Sequence, residues 1–443
     1  MTQLPAHCTA IRGAVLTYTG DPFVEGIEAT RRYESDALVV VADGRIVAFG
    51  PAGEVAPQLP AGTPIEQLPP HQLLSAGFID THVHYPQLPI IGAYGEQLLD
   101  WLNQYTFPAE AAYANIEHAR AVAHTYFAEN LRNGITTAAV YGTVHPQSVD
   151  ALLEVSEAHN LRTIAGKVLM DRHAPPELCD TAQSGYDDSK ALIDRWHGRG
   201  RQLYAITPRF APSCSPEQLE TAGALWRERP DCYVQSHLSE NLAECDWVAQ
   251  LFPQAANYLD VYDRFGLVGP RAVYGHGIHL SEGELCRCHA SHTALAHCPT
   301  SNLFLGSGLF PMHQAKRADR ALRVGLGTDL GAGTSFSMLV TLNEAYKVAQ
   351  LQGQPLSAGH AFYLATRGGA QALHLEDTVG SIAVGMEADL IALDLHSTPI
   401  IEHRMRYARD LDEALFVQMT MGDDRAVAAT WVAGEKRYTR TPT

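Results

Sequence analysis

The sequence lacks any apolar run of about 18 residues, the length a helix needs to cross a bilayer, so no transmembrane helix is expected. Its first residues, Met1-Thr2-Gln3-Leu4-Pro5-Ala6-His7, show no basic stretch followed by an apolar core, and no signal peptide is expected. Eight cysteines are scattered without a single Cys-x-x-Cys pair. In a large chain without an export signal this predicts reduced, mostly structural thiols and a cytoplasmic setting. Cys286-Arg287-Cys288 offers two thiols, but the spacing is poor for a zinc knuckle, and packing within a helix is the expectation. Positive charge is also short: 32 Lys and Arg face 49 Asp and Glu, for a net charge of −17. That disfavours nucleic acid and anionic membrane as partners and leaves a small neutral ligand open. Repeats of 20–50 residues and low-complexity tracts are missing too, which argues against a solenoid or a disordered linker.

What is present is ample apolar material. The 443 residues are 46% hydrophobic and 18% charged, enough for a large barrel with a small additional domain. Near the N-terminus, β-rich runs flank Asp43-Gly44, a strong hairpin signal. Residues 51–72 are rich in Pro and Gly and read as a connector. From about residue 73 to 375, eight apolar strand candidates appear at 74–80, 135–141, 163–169, 203–207, 232–236, 271–275, 293–296 and 322–327. Periodic helical segments at 109–132, 148–159, 187–199 and 216–228 alternate with them. Such alternation predicts an α/β fold, a distorted (β/α)8 barrel. β character returns at 388–394 and 426–432. The expected organisation is a barrel at 73–375 beside a small β-sandwich domain assembled from 1–72 and 376–443.

Catalytic groups of such a barrel sit where strands end and loops begin. The first strand candidate leads into Asp80-Thr81-His82-Val83-His84, and alternation along a strand points both imidazoles the same way. His237 follows the fifth strand, His276 the sixth and Asp329 the eighth. One His after a strand is usually a solvent contact, and this chain has 21 histidines. Four His and one Asp, all at strand ends, suit a divalent ion such as Zn²⁺ or Fe²⁺. His279 is an alternative to His276, and His297 is expected to pack near the pocket. Glu240, three residues beyond His237, suits the first turn of a helix.

These residues together resemble the amidohydrolase superfamily: Gly77-Phe78-Ile79-Asp80-Thr81-His82-Val83-His84, then His237, His276 and Gly327-Thr328-Asp329. The tail Gly380-Ser381-Ile382-Ala383-Val384-Gly385-Met386-Glu387-Ala388-Asp389-Leu390 is similar to its closing small-domain motif. Ala76 departs from the Pro usual before Gly77. Three segments resemble the guanine-deaminating branch: His84-Tyr85-Pro86-Gln87, His237-Leu238-Ser239-Glu240, and the stretch from Leu99 to Glu110 that contains Tyr105-Thr106-Phe107-Pro108. Ala296-His297-Cys298-Pro299-Thr300-Ser301-Asn302 is shared more widely among deaminases.

The resemblance implies hydrolytic deamination of guanine to xanthine and ammonia by a metal-activated hydroxide. The metal ligands would be His82, His84, His237 and Asp329, with His276 either ligating or polarising the water. Binuclear relatives carry a Lys at the end of strand four; Leu203-Tyr204-Ala205-Ile206-Thr207-Pro208-Arg209 has none, which implies one ion, Zn²⁺ with Fe²⁺ as the alternative. Glu240, Asp329 and His276 would act catalytically. Gln87, Arg209 and Phe210 would contact the purine, together with His84, His237, Glu240 and Asp329. Trp101, Tyr105 and Phe107 are expected to form a lid or pocket wall, with a dimer contact as the alternative. A homodimer is implied by resemblance alone. Competing readings are an aminohydrolase of the same superfamily acting on 8-oxoguanine, a pterin, a triazine or an adenosine-type substrate; a catalytically silent scaffold; and a deaminase acting on nucleic acid, against which the charge argues. The cytidine-deaminase fold is excluded, because His374-Leu375-Glu376 is followed by no Pro-Cys-x-x-Cys.

Overall fold

The computed structural model describes residues 4–94 and 98–441. Eight parallel strands form the barrel: Phe78–His84, Ile135–Tyr141, Arg162–Gly166, Gln202–Pro208, Tyr233–Leu238, Ala272–His276, Ala294–His297 and Arg323–Leu326. We number them one to eight. Each pairs with its sequence neighbour in parallel register. The two ends of this path, strands one and eight, meet largely through side chains. The Asp80 carboxylate accepts from the Thr328 backbone N–H at 3.0 Å and from its hydroxyl, and Asp329 N–H donates to His82 O at 2.9 Å.

The barrel interior is filled below the site. Ile79, Ala139, Ile164, Ala205, Tyr233, Val273, Ala294 and Ala296 pack there against Leu373 and Leu375, and Tyr233 donates its hydroxyl to Leu373 O at 2.7 Å. Ile79 faces inward, and so do His82 and His84. Strict alternation would forbid that. The register irregularity between Asp80 and Val83 switches the faces, returning Val83 to the outer helical layer.

The expected first strand at 74–80 proves to be two. Residues Gln72–Ala76 belong to the other sheet, where they pair with Thr9–Tyr18 and Leu390–Asp394. The change of partner falls between Gly77, whose N–H donates to Asp389 O, and Phe78, whose N–H donates to Gly134 O. The candidate at 163–169 also divides, with Val168–Leu169 pairing separately with strand four.

The terminal segments form one mixed sheet in the order Glu435–Thr439, Val427–Val432, Leu390–Asp394, Gln72–Ala76, Thr9–Tyr18, Arg31–Ala42, Arg45–Pro51, with Ile65–Gln67 added beside Thr9–Tyr18. Its hairpin turns through Asp43 and Gly44, at φ of 51° and 76°. Ile11, Val15, Val39, Val41, Leu74 and Trp431, contributed by strands across this sheet, form one buried core. Arg162 and Arg201, at the N-terminal ends of strands three and four, pair with Glu387 and Asp389 and fasten the barrel to this sheet.

All eight cysteines are free. On the helix Glu282–Ser291, Cys288 is buried and Cys286 exposed, so the two do not form a common site.

Candidate metal centre and active site

The five proposed ligands converge at the C-terminal ends of strands one, five, six and eight. His84 Nε2 and His237 Nε2 face each other at 3.1 Å. Asp329 Oδ1 lies 3.4 Å from His82 Nε2 and 3.6 Å from His84 Nε2, and Oδ2 lies 3.8 Å from His276 Nε2. Donors held about 2.0–2.1 Å from one tetrahedral ion stand roughly 3.3–3.4 Å apart, so these separations are those of ligands around a single ion. Buried nitrogens ordinarily find a hydrogen-bond partner. Here His82 Nε2 and His276 Nε2 are buried with none. The residues therefore fit a divalent ion.

The ring nitrogens are set by their outer partners. His237 Nδ1–H donates to Arg209 O at 2.6 Å, and His276 Nδ1–H donates to Asn302 Oδ1 at 2.8 Å. Both leave the Nε2 lone pair directed at the centre. Burial pushes His82, His84 and His237 below the ordinary imidazole value, which keeps them neutral as ligation requires. For His276 burial acts the same way, but the charges of Glu240 and Asp329 outweigh it and raise it. Asp329 is held well below the ordinary carboxylate range: burial opposes this, and the surrounding imidazoles of His82, His276 and His84 outweigh it. His276 and Asp329 both hold left-handed backbone, at φ of 70° and 48°. Left-handed backbone at a non-glycine residue costs energy and persists only where the surroundings hold it.

His279 lies outside the cluster, with Nε2 bonded to Ser307 O at 2.9 Å. His297 stacks on Phe310 at 4.6 Å, and burial pushes it down to about 3. Lys167 is buried and held by Asp180 and Val168 O, away from the ligands.

Above the centre is a cavity. His84, His237, His276, Asp329 and Glu240 reach it from below, and Gln87, Arg209 and Phe210 from the sides. Glu240 Oε2 is 3.4 Å from His276 Nε2, while Oε1 accepts from Ser307 Oγ at 3.2 Å. Burial raises the Glu240 carboxyl to about 7, opposed by His276. Phe210 packs edge-on against Trp247.

The apolar wall comes from the segment after strand one. Leu98, Trp101 and Leu102 line the cavity, and Trp101 rests on Tyr105 and Phe304. One wide helical turn, Leu102–Thr106, interrupts this helical stretch, and the Phe107 N–H reaches back five residues to Leu102 O. The cause lies in Pro108, which has no N–H and whose ring clashes with a regular turn. Beyond it, Phe107 packs under the Arg209 guanidinium at 5.6 Å.

Four groups were not anticipated from sequence. Glu110 accepts from Gln87 Nε2 and Arg209 Nη1. Asn302 orients His276. Tyr141, ending strand two, stacks on His84 at 4.3 Å. Glu244 accepts from the N–H groups of Glu240 and Asn241 and from the Tyr258 hydroxyl, fixing the turn that carries Glu240.

The guanine deaminase of Escherichia coli (strain K12) is 49% identical over 434 residues, covering 97% of this chain and 98% of that relative. A solved structure of the E. coli guanine deaminase superposes with a TM-score of 0.94 at 48% identity, covering 98% of this chain and all of that one. A guanine deaminase from C. acetobutylicum, solved with guanine in its active site, superposes with a TM-score of 0.86 at 29% identity, covering 97% of this chain and 100% of that one. The family description "Amidohydrolase family" matches residues 73–437, and the chain belongs to the amidohydrolase family.

Proposed function

We propose that the chain hydrolyses guanine to xanthine and ammonia, using one zinc ion held by His82, His84, His237, His276 and Asp329. The observation that carries this reading is the convergence of those five groups with Glu240 beneath a cavity walled by Arg209 and Gln87. Relatives that act on guanine, at the identities given above, support it.

Held by these five residues, a divalent ion would lower the pKa of a water from about 15.7 toward roughly 7 and so would supply the nucleophile at neutral pH. The remaining chemistry falls to the protein. Asp329 turns Oδ1 toward His82 and His84 and Oδ2 toward His276, and its carboxylate would take the water proton. Glu240, with its carboxyl near 7, carries a proton that it gives to the ring nitrogen beside C2. Oxygen is added at C2, the exocyclic C2–N bond breaks, ammonia departs with the proton Asp329 took from water, and the proton of the C2 hydroxyl restores Glu240 as the C2 oxo group forms. Arg209 only donates, so it favours an oxo group at C6 over an amine, selecting guanine over adenine. Phe210 and Trp101 cover the ring faces. A cytoplasmic homodimer is the setting implied by the family, and sedimentation of the purified protein measures its assembly.

The test is ammonia release from guanine, 8-oxoguanine, a pterin, adenine and ammeline, with metal measured on the same sample. Guanine is expected to be turned over best, by a protein holding one zinc per chain. Arg209→Met is expected to collapse guanine turnover without losing metal. Faster turnover of another substrate, or unchanged kinetics in the variant, rejects the assignment.

A further inference from the structure

Glu110 stands behind the cavity wall and is almost wholly buried, with 1% of its surface exposed. Burying a carboxylate is costly unless its oxygens find donors. Both do. Oε1 accepts from Gln87 Nε2 at 3.3 Å, and Oε2 accepts from Arg209 Nη1 at 2.6 Å. Those donors come from two separate loops, after strands one and four. They are also the two polar residues assigned above to reading the purine, and the inference rests on that assignment.

The helix that carries Glu110, Phe107–Ala111, holds Arg209 twice. Phe107 lies under the guanidinium, and Glu110, three residues on and so on the same helix face, takes its Nη1. A carboxylate accepts and never donates. Gln87 must therefore turn its NH₂ toward Glu110. Among the described residues its Oε1 and remaining N–H make no other bond, so they meet a ligand in fixed order. A neutral partner at position 110 would accept or donate, and the Gln87 amide could flip.

We propose that Glu110 is a positioning residue that fixes the donor and acceptor order of the purine-reading wall through Gln87 and Arg209, without itself touching the substrate. A carboxylate that served only the core would change the folded fraction. That lowers apparent kcat and leaves KM where it was. A positioning carboxylate acts on KM.

The experiment compares wild type, Glu110→Gln and Glu110→Asp as metal-loaded full-length proteins, by steady-state ammonia release from guanine. For Glu110→Gln the guanine KM is expected to rise about tenfold or more, the loss of one charge-assisted hydrogen bond, with kcat changed less than about threefold. Metal content should not change. Glu110→Asp keeps the charge with a shorter reach, and its KM is expected between the two; it also provides the answer if the Gln variant does not fold. Wild-type turnover of guanine with KM unmoved in the variants overturns the role of Glu110 alone. Failure of the wild type to release ammonia from guanine overturns the parent reading instead.

Discussion

Gly275→Ala adds one methyl group and is expected to empty the metal centre. Gly275 precedes His276 at the end of strand six, and a Cβ there would point at the His82 ring, 2.4 Å from Cε1, 2.7 Å from Nδ1 and 3.1 Å from Nε2. Comfortable heavy-atom contact begins at about 3.5 Å, so the imidazole must retreat by about 1 Å. Metal–ligand distances tolerate only about 0.2 Å. The ring is buried against Tyr141, His84 and His276, and nothing near it yields easily. His82 is thereby lost as a ligand. Perturbing even an outer partner of a ligand lowers affinity about 10–100-fold, and losing the ligand itself should cost at least that. Overpacking adds about 1–3 kcal/mol of instability. The assay is metal per chain at a buffered free-zinc level, followed by ammonia release on the same sample. Gly283→Ala provides the control. Its Cβ would meet nothing nearer than Ser281 Oγ at 3.9 Å, and a glycine-to-alanine change in a helix stabilises by about 0.5–1 kcal/mol. Gly275→Ala protein with wild-type metal content and turnover would refute the placement of His82 at the centre.

Three further outcomes follow from the same geometry. Glu240→Gln is expected to retain metal and lose at least about 100-fold in kcat; near-normal ammonia release would remove Glu240 from proton transfer. Because burial raises the Glu240 carboxyl to about 7, its proton is available below that pH and lost above it, so kcat should fall on the alkaline side of 7; a rate flat to about pH 9 contradicts this role. Glu387 is lowered: burial opposes the shift, but the charges of Arg201 and Arg162 outweigh it, so its stabilisation is present above the unfolded carboxyl value and lost as pH falls through the folded one. Glu387→Gln should therefore cost about 2–4 kcal/mol in urea unfolding at neutral pH, shrinking toward zero below about pH 4; a loss independent of pH would show that charge is not its source.

Much of this was legible in the chain because burial leaves a periodic record. The candidate at 135–141 and the helix at 216–228 coincide with observed elements, and both are bounded by polar or turn residues. Hydrophobicity reports that a segment is buried, but not which sheet takes it. Residues 74–80 are apolar throughout, and only the hydrogen-bond partners at Gly77 and Phe78 divide them. The connector at 51–72 contains a short strand, Ile65–Gln67, whose Ile65 is half exposed; an edge strand of three residues has no alternating signature to read. The metal ligands were readable because four imidazoles and one carboxylate recur together at the ends of strands one, five, six and eight. Glu110 and Asn302 lay within noticed segments, yet a Glu or Asn on a helix ordinarily reads as solvated. Their roles arise from partners 99 and 26 residues away in the chain.

Barrel closure and site assembly are one event in this chain. Strand eight must come within bonding distance of strand one, or Asp329 cannot reach His82 and His84. Gly327 permits it. A Cβ there would lie 2.8 Å from both Cys298 Sγ and His82 Cβ, so any larger residue would push the strands apart. Asp80 then fixes the register, because its carboxylate takes the N–H and the hydroxyl of Thr328 while also accepting from the His82 N–H at 3.2 Å. One buried carboxylate thus binds the ligand His82 and, 248 residues along the chain from Asp80, Thr328, the neighbour of the ligand Asp329. Asp80, His82 and Asp329 are therefore a single structural unit. The Gly-Phe-Ile-Asp-Thr-His-Val-His and Gly-Thr-Asp segments are the two halves of the seam that closes the barrel.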